Sequence, residues 1–338
     1  MQDGFILVLN TLSGDVSLID PKDDSVVGAV PVGKAPRDLV YAPGSRRVFV
    51  TLSGTGDVGV VDLAERRITC CTKVGIRPGH IYLHPCGQQV WVANDGSGEL
   101  TVLNAASGEW LATIPAGAGH HKIAFTSDGK LAFATNIRSS TVTVVDAGAY
   151  EAIETIQVVK APHGIAVSHD DRYALVCNNG ADVVSVIGVA EKRVVAEIRG
   201  SQGPNYVRIS PDGRCAIVVH KSGTISIIDS RSLAIERSLP VGEVPERVIF
   251  SRDGRLAFVN NTRSQDVSVI DVVNLEIIGR VPVEAGGSHQ GMTFSPDGTR
   301  LYIVNHGAGS VSVLDVFKPR LLKSLFVGHG PSNIITTD

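Results

Sequence analysis

The sequence predicts an all-β chain folded as a single eight-bladed β-propeller, each blade a four-stranded antiparallel sheet. Three observations carry this expectation. A unit of about 42 residues recurs along the whole 338-residue chain. Within each unit apolar residues alternate with period two or form short runs of strand length, and no stretch of ten or more carries a sustained helical stripe. Each unit is punctuated by Gly, Pro, Asn and Asp at fixed places, as tight turns require.

The first segment of the unit reads apolar-x-apolar and then a turn. It appears as LVYAPGSR from Leu39, IYLHPCGQ from Ile81, IAFTSDGK from Ile123 and IAVSHDDR from Ile165. It continues as VRISPDGR from Val207, VIFSRDGR from Val248, MTFSPDGT from Met292 and IITTD from Ile334. Successive starts differ by 42, 42, 42, 42, 41, 44 and 42 residues. In the S-P-D-G turn, Pro presets φ, Asp bonds its own backbone and Gly takes positive φ. A second segment follows each turn, for example VWVANDG and LYIVNHG, and the N-terminus supplies an eighth copy in ILVLNTLSG from Ile6. A third, such as VSLID or VSVLD, and a fourth, such as SVVGAVPVG or LAIERSLPVG, complete the unit.

Four strands per unit and eight units fit a propeller, with strands ordered inner, second, third and outer from the axis. The chain begins on a second-strand segment and ends on an inner one, Asn333 to Thr337. The last strand should therefore complete the first blade beside Phe5 to Asn10, which pairs both ends and removes an edge. Length alone suggests two domains. A propeller grows by adding blades, so residues 1–338 are expected to form one.

Composition excludes several classes. Apolar residues are 43%, charged residues 19% and glycines 36 in number, enough for a large core and unlike a disordered chain. No run of 18 apolar residues predicts a membrane span. Net charge is −3 with no stretch of five like charges, so nucleic-acid binding is not expected. The cysteines are Cys70, Cys71, Cys86, Cys177 and Cys215, with no C-x-x-C. They read as buried or half-buried free thiols, which favours a reducing compartment. The start, Met1-Gln2-Asp3-Gly4, runs straight into a strand. The expectation is a cytoplasmic location, or a periplasmic one if a leader has been removed. Oligomeric state is not legible.

YIVN at Tyr302, FVNN at Phe258, WVAN at Trp91 and FVTL at Phe49 are each followed by a turn and a V-x-V-type strand ending in Asp or Asn. With the S-P-D-G turns, these residues resemble the YVTN family of β-propeller repeats over essentially the full chain. The resemblance is specific for fold and not for function. It implies similarity to the haem-domain propeller of the dihaem nitrite reductases, which has eight blades. It also implies similarity to the copper propeller of nitrous oxide reductase, whose paired histidines and P-H-G-[IV] element look like His120-His121 and Pro162-His163-Gly164-Ile165. That propeller has seven blades, and most of its copper ligands have no counterpart here.

The repeat also assigns each loop to a face. His80, His120, His121, His163, His289 and His329 fall in connections between blades, and His220 and His306 at turns between second and third strands. Those two loop sets open on one face. Only His84 and His169 lie on the other. Two residues before the first apolar position of each inner strand stands a ring at the channel mouth: Arg37, Gly79, His121, His163, Asn205, Glu246, Gln290 and Ser332. His80 and His289 are one residue off it.

Imidazoles are the commonest metal ligands, and three or four suit Cu, Fe or Zn. His80, His120, His121 and His163 are the candidate metal ligands. His289, His306, Asn205 and Gln290 are candidate cofactor contacts, and a haem with one axial His would also fill the mouth. Arg37 would clamp an anion bidentately, and Glu246 would act as a base or orient a ligand. His220-Lys221 and Asp95 sit at the same level. The competing account is a solvated polar cap, as channel mouths collect in any propeller.

The recurrent Asn10, Asn94, Asn136, Asn178, Asn261 and Asn305 read as satisfying turn backbone, and the Asp residues ending third strands as turn residues. Trp91 and Trp110 read as packing. Three functional readings remain open. The first is a small-molecule or metallocofactor site supporting metal-dependent oxidoreductase chemistry. The second is a non-catalytic carrier or protein-interaction propeller. The third is a divalent-metal-dependent lyase or hydrolase using His and Glu246.

Overall fold

The computed structural model describes residues 4–119, 122–200, 202–284 and 291–337. They form eight four-stranded antiparallel sheets. Blade 1 runs Pro331–Thr336, Ile6–Asn10, Asp15–Asp20 and Ser25–Pro31 from the axis outward. The inner strands of blades 2 to 8 are Pro36–Ala42, Pro78–Leu83, Ile123–Phe125, Pro162–Val167, Pro204–Ile209, Pro245–Phe250 and Met292–Phe294. Ring closure is as expected: Ile6 pairs with Thr336 and Val8 with Ile334. Phe5 N–H donates to Thr337 Oγ1 at 2.7 Å and Thr337 N–H to the Phe5 carbonyl at 2.8 Å.

The core lies between blades rather than at the axis. Second and third strands are buried on both faces; outer strands are mostly half-buried or exposed, with regular alternation in Arg67–Lys73 and Glu276–Pro282. Phe258 and Val267 of blade 7 pack against Leu301 and Ile303 of blade 8, and equivalent clusters fill the other clefts. Second-strand segments therefore read as continuous apolar runs and outer ones as alternations. Trp91 is fully buried against Phe125 in an edge-to-face contact of 5.4 Å. Trp110 departs from its expected packing role: it lies on an outer strand and is 55% exposed. The cysteines are all free, but Cys71 and Cys86 are exposed rather than covered.

Turn chemistry behaves as the sequence implies. Ser210 Oγ donates to Asp212 Oδ1 at 2.6 Å, and Gly213 takes φ +70°. Asp62 accepts the N–H groups of Ala64 and Glu65 at 2.8 and 3.0 Å. On this same far face His84 Nε2 lies 2.7 Å from the Gly129 carbonyl and His169 Nε2 3.0 Å from that of Ser210. Both tie one blade's turn to the next.

Several of the recurrent asparagines bond backbone as expected, Asn94 donating to the Val74 carbonyl at 3.0 Å and Asn136 accepting from Gly117 N–H at 3.1 Å, and all six share a further role. Each is fully buried and donates from Nδ2 to a Ser or Thr hydroxyl seven residues on, in the third strand. Examples are Asn10 to Ser17 at 2.8 Å, Asn94 to Thr101 at 2.9 Å and Asn305 to Ser312 at 2.9 Å. His220 takes the role in blade 6, with Nε2 2.8 Å from Ser226 Oγ. This clip leaves no room above it. A Cβ at Gly75, in the link from blade 2 to blade 3 at φ +153°, would come within 2.7 Å of Asn94 Cγ. Gly75→Ala should therefore destabilise the protein by about 1–3 kcal/mol through overpacking and backbone strain. Thermal unfolding should show a Tm lowered by several degrees; an unchanged Tm would refute the clip's rigidity.

Candidate functional site

Six inner strands begin with proline: Pro36, Pro78, Pro162, Pro204, Pro245 and Pro331. Proline suits a strand's first residue, where its missing N–H is not needed. The residue before each has φ between +50° and +68°, turning the chain sharply off the connecting loop. Directly after each proline the pairing slips. In blade 2, Pro36 faces Leu52 and Leu39 faces Val50, so Arg37 and Asp38 together oppose Thr51. The same slip follows the other five prolines. A bulge of this kind re-aims side chains. Here it places two consecutive residues per blade at the channel mouth.

The result is a cavity of about 590 Å³. Among the expected site residues Arg37, His80, His163, Asn205 and Glu246 line it, as does Lys221. His306 has Nδ1 3.1 Å from the Pro331 carbonyl, joining blade 8 to the start of blade 1's inner strand. His120, His121, His289 and Gln290 lie outside the described residues. The expected ring corresponds to the first bulge residue, and of the second-position residues the sequence singles out His80. That second position supplies Asp38, His80, Tyr206, Arg247 and Asn333 to the wall, and Lys122, directly before the inner strand of blade 4, joins them. The signal was present: the residue directly before the first apolar position is charged or polar in most blades.

The deepest group is Asp38. Its carboxylate accepts from Leu39 N–H at 2.9 Å and from Asn333 Nδ2, and its Oδ2 lies 2.7 Å from His80 Nδ1. An ionised Asp38 would favour the His80 tautomer with its proton on Nδ1. Burial pushes the Asp38 carboxyl up, while Lys122 and Arg247 pull against it. Lys122 Nζ lies 3.3 Å from His80 Nδ1. Burial and then the nearby Arg247 lower its ammonium to about 7, with Asp38 opposing. Burial alone would raise the Tyr206 phenol, but Arg208 and Arg247 outweigh it and bring it below the ordinary value. The Arg247 guanidinium lies 5.8 Å from the centre of the Tyr206 ring.

At the rim Arg37 pairs with Asp95 of blade 3 at 3.4 Å. Lys221 donates to Asn179 Oδ1 at 3.0 Å, and Asn179 Nδ2 donates to Asn205 Oδ1 at 2.9 Å. The Asn205 carbonyl lies 3.0 Å from His163 Nδ1. The wall thus presents several cations and two imidazoles, each held by a neighbouring blade. Among the described residues no three His, Cys, Asp or Glu side chains group as a metal site.

A family model described as "Lactonase, 7-bladed beta-propeller" matches residues 77–276, more than half of the chain. The chain belongs to this propeller lactonase family. It departs from the family description by one blade, since eight sheets close its ring. No curated protein matches the sequence. Among solved structures, the dihydro-haem d1 dehydrogenase NirN in complex with DHE is similar at TM-score 0.82 and 19% identity. That similarity covers 98% of this chain and 74% of the other. Kuenenia stuttgartiensis hydrazine synthase is similar at TM-score 0.64 and 23% identity, over 76% and 88%. A functionally unknown protein from Desulfotomaculum acetoxidans gives TM-score 0.68 and 14% identity, over 98% of each chain. At these identities the likeness is one of fold. No helix among the described residues is long and apolar enough to cross a membrane.

The state of Lys122 generates a pH prediction for this lactonase-family propeller. Below pH 7 both folded and unfolded chains hold the ammonium, and the folded chain carries its full burial penalty. Above about 7 the folded chain releases the proton, whereas the unfolded chain keeps it to about 10.5. The penalty is therefore relieved as pH rises through that window. Lys122→Met should raise Tm most below pH 7, with the gain shrinking towards pH 10. A gain that grows with pH would contradict this placement.

Proposed function

We propose that the protein binds an anionic small molecule or cofactor at the mouth of its central channel. The observation that carries this reading is convergence. Arg37, Lys122, Lys221 and Arg247, with His80 and His163, line one cavity of about 590 Å³. Such a volume suits a drug-sized ligand or a planar cofactor. Arginines would hold its carboxylates, and the buried Asp38 would keep the His80 ring in place. Glu246 is the candidate base, with Asn205 as a polar contact.

The residues fit a planar metallocofactor better than a bare ion. Nδ1 of His80 faces Asp38 and Nδ1 of His163 faces a carbonyl, so ligation by either would use Nε2. The larger set of His80, His120, His121 and His163 for Cu, Fe or Zn depends on two residues outside the described ones. A haem with one axial imidazole asks less of the wall and would give an oxidoreductase. The NirN neighbour, described with DHE bound, supports this reading at the level of a shared fold. The lyase or hydrolase reading draws on the His80–Asp38 pair as a general base and on the family's description.

Titration of the isolated protein with haemin, followed by absorbance, tests the proposal, alongside elemental analysis for Cu, Fe and Zn. One-to-one binding should weaken at least about tenfold in Arg37→Ala and in His80→Ala, the loss of one or two charge-assisted contacts. Tm should stay within a few degrees. Haemin binding unaffected by both substitutions, with no bound metal, would sink the cofactor reading.

A further inference from the structure

The outer strands are the open edges of the eight sheets, and two of them differ from the rest in a matched way. Of the eight, only Glu151–Gln157 of blade 4 carries acids and no base. Only Arg67–Lys73 of blade 2 and Arg320–Phe326 of blade 8 carry bases and no acid. In blade 2 both charges are met by acids of that blade, Arg67 by Glu65 at 2.5 Å and Lys73 by Asp57 at 3.3 Å. Blade 8 has one such contact, Lys323 lying 3.6 Å from Asp24 of blade 1. Its edge also carries Lys318 and Arg320 among exposed apolar side chains, with Phe317 and Phe326 69% and 66% exposed and Leu321 and Leu322 beside them. The acidic edge exposes Ile153, and Trp110 of neighbouring blade 3 extends its apolar surface. An uncovered sheet edge with exposed apolar side chains is a template for association.

Blades 4 and 8 stand on opposite sides of the ring of eight. Every outer strand runs from the far face, where third strands turn, to the face on which the links between blades lie. Equivalent positions of the repeat therefore stand at equal heights along the axis. Glu151 and Arg320 both open their strands, and Glu154 and Lys323 both stand fourth. Ile153 and Leu322 are both the extra residue of a bulge. A second molecule shifted sideways without rotation sets its blade 4 against blade 8 of the first. Acid then faces base at two heights, with an apolar contact between them. Because both edges belong to one repeat, this match is built into a second copy of the chain. We propose that copies of this chain associate head to tail, the basic outer edge of blade 8 in one against the acidic outer edge of blade 4 in the next. Such a contact is heterologous, and a shift without rotation does not close, so the product is a row of propellers rather than a dimer. All hub mouths open on one side of that row.

Sedimentation velocity of the full chain, run in low salt from about 1 to about 100 μM, is the test. The weight-average mass should rise with concentration past that of a dimer. Glu151→Lys and Arg320→Glu each set like charges against each other and should weaken association about fivefold. Both positions are exposed, so Tm should stay within a few degrees. Mixing the two variants, or making both changes in one chain, should restore association, because opposite charges then meet again. A chain that stays monomeric over the whole range would overturn the proposal. So would association that responds to Arg320→Glu but not to Glu151→Lys, the mark of blade 8 meeting its own copy. Failure of the combined changes to recover what each lost would exclude the pairing of these two edges.

Discussion

Closure of the ring by pairing the two ends of the chain is the constraint on which everything else rests. Ile6–Asn10 is a second strand without an inner neighbour until Pro331–Thr336 arrives from the other end. Once paired, each cleft between blades is filled on both sides, and the hub acquires a fixed circumference. A second clamp works at the same seam. Arg300 of blade 8 donates to Asp24 of blade 1 at 2.6 Å, and Tyr302 Oη donates to the same carboxylate. The seam is non-local by more than 270 residues, so its closure entropy is met only when the whole wheel is assembled.

Within that wheel, repetition and function are separated by radius. The middle strands carry the same Asn-to-hydroxyl clip in blade after blade, with His220 and Ser226 as a variant. Six of the inner strands carry the same proline and the same slip of register, but the two residues that follow are free to differ. Blade 2 uses them for Arg37 and Asp38, blade 5 for His163 and Gly164. Gly164 is small for a reason: a Cβ there would come within 2.7 Å of the Asn205 carbonyl. A symmetric scaffold thus holds an asymmetric hub, and its buried carboxylate, imidazole and amine come from three adjacent blades.

That placement explains why the electrostatics of the hub are mutual. Burial pushes the Asp38 carboxyl up and the Lys122 ammonium down, and each charge offsets part of that effect on the other. Arg247 tips the balance, assisting the acid's ionisation while opposing the amine's. Shifts of this kind come from burial, which surface pairs screened by water do not share.

Period-two alternation, the spacing of about 42 residues and the turn chemistry determined eight sheets, their order and the closing strand, because these are local signals repeated eight times. The same register placed Arg37, His80, His163, Asn205 and Glu246 at one end of the hub. What the linear pattern did not convey was the bulge after each proline, since a slip of register depends on the partner strand. It made the second residue of most pairs a wall residue and brought Asp38, Tyr206, Arg247 and Asn333 into the cavity beside His80. The hydroxyl acceptors shared by the asparagines were hidden for the same reason: they lie across a strand pairing. Contacts between blades, and the proton states they impose, are decided only when distant segments are buried side by side.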